Sequence, residues 1–425
     1  MRKGMKQLKS NKGITLVALI VTIIVLVILA SISIGALSDK KGIIEQVKDA
    51  KKKNNGILNG QQGELNELLL GYKNAMDGVA NTNQTEIDNE LEPPIPTPIP
   101  TPTPTPEVPT GPNGNQLVSS VTDTNHDTIE GEDNVGNKVV IPGGFKIAED
   151  SGNTIQEGIV IEDDIGNQFV WIPVSNINGD GSNKIKRDDG SEVEIILGRY
   201  TFDTSTGVEK KVQYASEYET AKYINTYYAE YSKRTGAQDL KGFIGSVQNR
   251  GGYFLARYEA SYASGTQLGL GDNENYYRVA SKVTSKYYTG SMVYTEGSLW
   301  NFITGNDAKI LGRQMYYGND YVKSDLVNSY MWDTAIIYIQ KMGHENYANL
   351  NWLSVLMNTG KTKDERCKIF DMAGNLEEWS TEGETNESRS VCRGARLGTS
   401  ITASRGTYGG GGNRYVGLRV GLYLK

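Results

Sequence analysis

The chain has 425 residues, 44 of them Lys or Arg and 50 Asp or Glu, for a net charge of −6. That balance provides no basic field, so nucleic acid is not expected as a partner. Two cysteines and two histidines exclude a cysteine-rich scaffold and zinc-finger spacing, and they narrow the options for catalysis.

Residues 1–13 carry Arg2, Lys3, Lys6, Lys9 and Lys12, and no charge follows from Gly13 to Ser38. The apolar run, 14–38, exceeds the ~20 residues that cross a hydrocarbon core as a helix. Its basic flank holds the N-terminus in the cytoplasm, which predicts a single-pass cell-membrane protein with an extracellular head. A cleaved secretory signal has a core of only ~7–15 residues; an uncleaved anchor stays open as an alternative. The order Lys12-Gly13-Ile14-Thr15-Leu16-Val17-Ala18 resembles the cleavage segment of type IV prepilins and pseudopilins. The resemblance implies a prepilin peptidase that cuts after Gly13 and methylates Ile14. The fifth residue of the mature helix is usually glutamate in that family. Here it is Ala18, which removes the contact by which pilin-like subunits dock.

Residues 39–92 continue in helical register through Ile43, Ile44, Val47 and Ala50, and later Leu65, Leu68 and Leu69. Gly56, Gly60 and Gly63 weaken that pattern, so a partly helical stalk is expected. Residues 93–112 hold every proline except Pro142 and Pro173, alternating with threonine as an extended, semi-rigid spacer.

The head from 113 onward reads as α+β with irregular connections. N-terminal strands occupy 113–156, where Glu132-Asp133-Asn134-Val135-Gly136-Asn137 has a near copy in Glu162-Asp163-Asp164-Ile165-Gly166-Asn167. Each copy feeds a β-branched or aromatic run, a strand after a tight turn. Further strands are expected over 193–202 and 253–258. Ser216-Glu217-Tyr218-Glu219 has the form of a capping box before a helix carrying Ala221, Ile224, Tyr228 and Tyr231. Two more helices are expected over 306–315 and 324–341, the second capped by Ser324.

Phe370-Asp371-Met372-Ala373-Gly374-Asn375-Leu376-Glu377-Glu378-Trp379 is the most distinctive run of the head. With Gly166–Pro173, Gly252–Glu259, Arg393-Gly394-Ala395 and Gly417-Leu418-Arg419-Val420, it resembles the sulfatase-modifying-factor family over about 157–425. That is the formylglycine-generating-enzyme-like branch of the C-type lectin-like folds. The resemblance implies a structural calcium, held by Asn375, the Leu376 carbonyl and Glu378. A metal-free turn with Trp379 in the core is the alternative. The family's oxidases use a cysteine pair downstream of Arg-Gly-Gly as a soft thiolate site, and no cysteine follows Cys392. No nucleophile elbow, phosphate loop or His-Glu-x-x-His motif is present either, so no enzyme is expected. An enzyme of the sulfatase-modifying type with other chemistry is one alternative function, and a minor pilin or pseudopilin is another.

Binding is better motivated. Every tyrosine but Tyr72 lies from Tyr200 onward, and tyrosine supplies stiff contact area with a polar tip. The segment after Arg393-Gly394-Ala395 is small and polar, with Arg405, Tyr408, Asn413, Arg414 and Tyr415 as anchors. These five are the candidate contacts for an extracellular glycan or protein ligand. Cys367 and Cys392 form one disulfide or remain two buried thiols.

Overall fold

The computed structural model describes residues 108–218, 239–263, 278–282, 284, 297–351, 356–383, 390–396, 400–409 and 411–425. The expected membrane helix at 14–38, the Gly13-Ile14 processing site, the stalk, most of the spacer and the helix around Ala221–Tyr231 lie outside them. Among the described residues no helix is long and apolar enough to cross a membrane. The described residues mix helix and sheet, with many strands and few helices.

The two repeated segments fold as the same turn. Asp133 Oδ1 accepts from the Val135 and Asn137 N–H groups at 3.1 and 2.7 Å, and Asp163 Oδ1 accepts from Ile165 and Asn167 at the same distances. Gly136 and Gly166 have φ of 89° and 82°, a left-handed conformation that glycine adopts at little cost. The turns join strand Ile129–Glu132 to Lys138–Ile141, and Val160–Asp163 to Gln168–Pro173. Each turn's asparagine then docks a distant backbone. Asn137 exchanges hydrogen bonds with Lys186 at 2.9 and 2.8 Å, and Asn167 accepts from Ser281 N–H at 3.1 Å.

The second hairpin sits inside a six-stranded antiparallel sheet. Its strand order is Val322–Leu326, Val420–Leu424, Gly252–Ala256, Gln168–Pro173, Val160–Asp163 and Phe145–Ile147. Phe145–Ile147 therefore belongs to the same sheet as the later strands, and 104–425 is one unit. A four-stranded sheet runs in the order Arg405–Tyr408, Ser390–Arg393, Glu377–Gly383 and Val416–Leu418, with the last two parallel. The chain leaves this sheet at Leu418 and enters the six-stranded sheet at Val420, so Arg419 lies at the junction, fully buried.

Helix α1 (Leu240–Arg250) starts at Asp239, whose carboxylate accepts from Gly242 N–H at 2.8 Å, and stops at Gly251 with φ of 82°. Helix α2 (Gly305–Gln314) agrees with the expected 306–315 segment and is capped by Thr304. Gly312 lies flat on the edge strand, because a Cβ there would stand 2.5 Å from the Leu326 nitrogen. Helix α3 (Ser329–Lys341) is buried from Ser329 to Ile339, including Trp332 and Tyr338. A helix apolar on nearly all sides belongs inside a core.

Two expectations change. The second helix does not begin at Ser324: Val322–Leu326 is a strand paired with Val420–Leu424, and Asn328 caps α3 by accepting from Met331 N–H at 3.0 Å. Long-range strand pairing overrides the local cap signature there. The 193–202 run is split into Glu192–Val193 and Gly198–Phe202. Ala215–Glu217 is a 3₁₀ turn, with the Glu217 carboxylate accepting from Tyr214 N–H at 3.2 Å.

Candidate functional site

Strand alternation sorts the acids of the Asn375–Trp379 run. Successive residues of a strand point to opposite faces, so Glu378 turns away from Glu377 and Trp379. Glu378 faces Arg419. The guanidinium Nε donates to both Glu378 oxygens at 3.0 Å and Nη2 to Oε1 at 2.7 Å, with both residues fully buried. The remaining donors reach the Ala256 and Phe370 carbonyls at 2.9 and 2.8 Å. One side chain thereby ties together both sheets and the preceding loop.

That loop is backbone-strained. Cys367, Lys368, Asp371 and Asn375 all have positive φ, from 47° to 73°, at about 1–3 kcal/mol each. Buried carboxyl groups hold it. Glu259 accepts from Leu376 N–H at 2.8 Å and from the Asn375 side-chain amide. Asp371 accepts from Gly360 N–H at 2.9 Å and from the Thr359 and Thr362 hydroxyls. Asp364 accepts from Ala373 N–H and the Tyr347 hydroxyl. Burial pushes Glu259 well above the usual carboxylate range, and the negative charges of Asp371 and Glu378 add to it. Burial likewise lifts Asp364 to about 7. It also pushes Glu378 upward, against the pull of Arg419.

These contacts do not fit calcium, and that expectation is corrected. Calcium takes six to eight oxygen ligands, yet both Glu378 oxygens are occupied by Arg419 and Asn375 turns its amide nitrogen to Glu259. The Asn375 carbonyl oxygen accepts from Met357 N–H at 2.8 Å. Among the described residues no group of three or more His, Cys, Asp or Glu side chains is arranged for a metal. Trp379 is fully buried behind this turn.

Cys367 and Cys392 are both buried free thiols, so the disulfide is also corrected. Cys367 lies in the strained loop beside Tyr338, and burial pushes its thiol up to about 12. Cys392 pairs across the sheet with Trp379, and burial raises it well above the ordinary thiol. Neither environment favours a reactive thiolate.

Of the five expected ligand contacts, the structure brings four together and removes one. Arg405 and Tyr408 stand at odd and even positions of one strand and so face opposite ways. Arg405 turns inward, donating to the Tyr200 carbonyl at 3.0 Å and to Asp333, which also receives Arg393 at 2.5 Å. Its side chain is 11% exposed and committed to these inward partners. Tyr408 faces the other way, with its ring edge-on to Trp379 at 6.3 Å and its hydroxyl donating to Glu377 Oε2 at 2.8 Å.

Around Glu377 the remaining three assemble with Arg396. The Arg396 guanidinium lies 3.7 Å from Glu377 Oε2, 3.4 Å from the Tyr408 hydroxyl and 5.3 Å from the Tyr415 ring centre. Arg414 sits on the same ring at 4.5 Å. Asn413 Oδ1 accepts from Tyr415 N–H at 2.8 Å, and its carbonyl accepts from Phe302 N–H at 3.0 Å. Asn301 donates to the Arg414 carbonyl at 3.0 Å, and Glu377 N–H to the Tyr415 carbonyl at 2.9 Å. Phe302 itself has φ of 58°, a strained backbone bordering the patch. Burial raises the Glu377 carboxyl, while Tyr408 and Arg396 draw it down.

Sequence reasoning missed Glu377 and Arg396 as members of this patch. The usable signal was the acid pair itself: strand alternation requires one of two adjacent acids to face away from the core pairing. No protein-family profile and no curated protein matches the chain. Among solved structures, Treponema denticola variable protein 1 aligns with 12% identity over 40% of this chain and 95% of that one, at a TM-score of 0.24.

Proposed function

We propose that the chain is a membrane-tethered cell-surface protein whose head is a non-catalytic binding module of the sulfatase-modifying-factor-like, C-type lectin-like kind. The observation that carries this reading is the convergence of Tyr408, Asn413, Arg414 and Tyr415 with Glu377 and Arg396 on one face. Rigid aromatic anchors beside half-buried charged groups are the composition of protein-binding surfaces. The buried acids are consumed in holding the loop, and the thiols are buried. Both ring nitrogens of His126 contact backbone carbonyls, which leaves that histidine no nucleophile to activate.

In this reading residues 14–38 anchor the protein after cleavage at Gly13, and residues 39–112 extend the head outward. The test of binding is a screen of the purified full chain against protein and glycan arrays, repeated with Tyr415→Ala. A ligand retained by the parent and lost by the variant is expected; ligands held equally by both would sink the assignment of the patch. Mass spectrometry of the mature N-terminus should find methylated Ile14, whereas intact Met1 or a start near Ser33 excludes prepilin processing.

A further inference from the structure

We infer that the patch formed by Arg396, Arg414 and Tyr415 recognises carboxylates, in the form of an acidic segment of a partner protein. This rests on the reading of the patch as a binding surface and adds the chemistry of its ligand.

Six arginines of the head show the contrast. Arg199 meets Glu382, Arg257 meets Asp150, Arg313 meets Asp325, Arg393 and Arg405 meet Asp333, and Arg419 meets Glu378. Each of these guanidinium groups has its carboxylate within the chain. Arg414 is exposed and stacked on Tyr415, and among the described residues it makes no ion pair. Arg396 is intermediate: its carboxylate is 3.7 Å away, and its side chain remains 29% exposed. Glu377 lies beneath, only 5% exposed, and accepts from the Tyr408 hydroxyl and, at 3.5 Å, from Ser400. Glu377 is therefore buried, and both guanidinium groups stand on the Tyr415 ring, with Arg414 the exposed one and Arg396 partly engaged by Glu377 and Tyr408.

Guanidinium presents a planar fork of donors that matches a carboxylate in two parallel hydrogen bonds. The fork's support is fixed before any ligand arrives, because hydrogen bonds pin the Asn413, Arg414 and Tyr415 backbone to Phe302, Asn301 and Glu377. Such preorganisation lowers the ordering cost of binding. A sugar ring would instead seek a bare aromatic face. Here Tyr415 already carries two guanidinium groups and Tyr408 is set against Trp379, which favours the peptide.

The test is fluorescence anisotropy of the purified full chain with a labelled glutamate-rich peptide, its glutamine counterpart and a uronate oligosaccharide. The glutamate peptide should bind and weaken as salt is raised, and the glutamine peptide should not bind. Arg414→Ala should weaken binding by about tenfold or more, the scale of one charge-assisted contact, and Arg414→Glu should abolish it. Arg414 is exposed, so both variants should melt with the parent. Equal binding of the glutamine peptide, no binding of the glutamate peptide, or indifference to Arg414→Ala overturns the inference. Preference for the uronate with the same Arg414 dependence overturns the peptide class in favour of an acidic glycan. If an array ligand depends on Tyr415 while no carboxylate probe binds, the patch stands and only this inference fails. Array ligands indifferent to Tyr415→Ala remove the patch itself.

Discussion

Arg419→Met is the sharpest perturbation of the head. The substitution keeps length and apolar bulk but strips Glu378 of its counter-charge, and it leaves the Ala256 and Phe370 carbonyls without their donor. Both partners are fully buried, and breaking such a pair on one side costs about 3–5 kcal/mol. Against a domain stability of roughly 5–15 kcal/mol, that is a large fraction. At about 2–4 °C per kcal/mol for a domain of this size, the midpoint should fall by about 10 °C. Glu378 then takes up a proton to escape its buried charge. Its folded pKa lies further above the unfolded value, so the variant should be least impaired at acid pH and lose stability as pH rises. Calorimetry or circular dichroism on the parent, Arg419→Met and the double variant Arg419→Met/Glu378→Met reads all of this. The double variant should recover much of the loss, because no uncompensated charge remains. A single variant that melts within about 1 kcal/mol of the parent, or a double variant no better than the single, refutes the account.

Other outcomes follow from the same contacts. Burial raises Asp364 to about 7, so its contribution is full below the unfolded carboxylate range and is lost as pH climbs through about 7; urea melts of Asp364→Asn at pH 5 and 8 should differ less than those of the parent. An unchanged pH difference would count against it. Chelator or added calcium should leave the melting midpoint unmoved, and a clear calcium-dependent rise would restore Asn375, Leu376 and Glu378 as ligands. Arg405→Ala should destabilise the head by roughly 2–4 kcal/mol, because Asp333 loses one of its two guanidinium partners, whereas Arg414→Ala should not; equal melting of the two variants contradicts the inward placement of Arg405.

The elements most legible in the sequence are those built from local contacts. The Asp133 and Asp163 turns are closed by hydrogen bonds spanning two and four residues, and their glycines mark the left-handed position. Helix α2 was visible for the same reason. Helix α1 was missed because Gly242 and Gly245 disguise its period, although Asp239 and Gly251 were available as start and stop signals. Ser324 misled because its cap signature is real but local, whereas strand Val322–Leu326 depends on a partner nearly a hundred residues away.

For the site the division is similar. From its residues alone Asn375–Trp379 reads as a special turn, no downstream thiolate pair is available, and arginine gathers toward the C-terminus of the head. Which groups are buried and which are exposed depends on partners far apart in sequence. Arg405 and Arg414 are alike in composition and close in sequence, yet one is neutralised by Asp333 from helix α3 and the other stands exposed on Tyr415. Glu377 and Glu378 are adjacent acids, sent by strand alternation to the patch and to Arg419. The calcium expectation failed for the same reason: a loop motif names oxygen ligands, but burial beside a guanidinium brought in from the C-terminal strands decides what those oxygens bind.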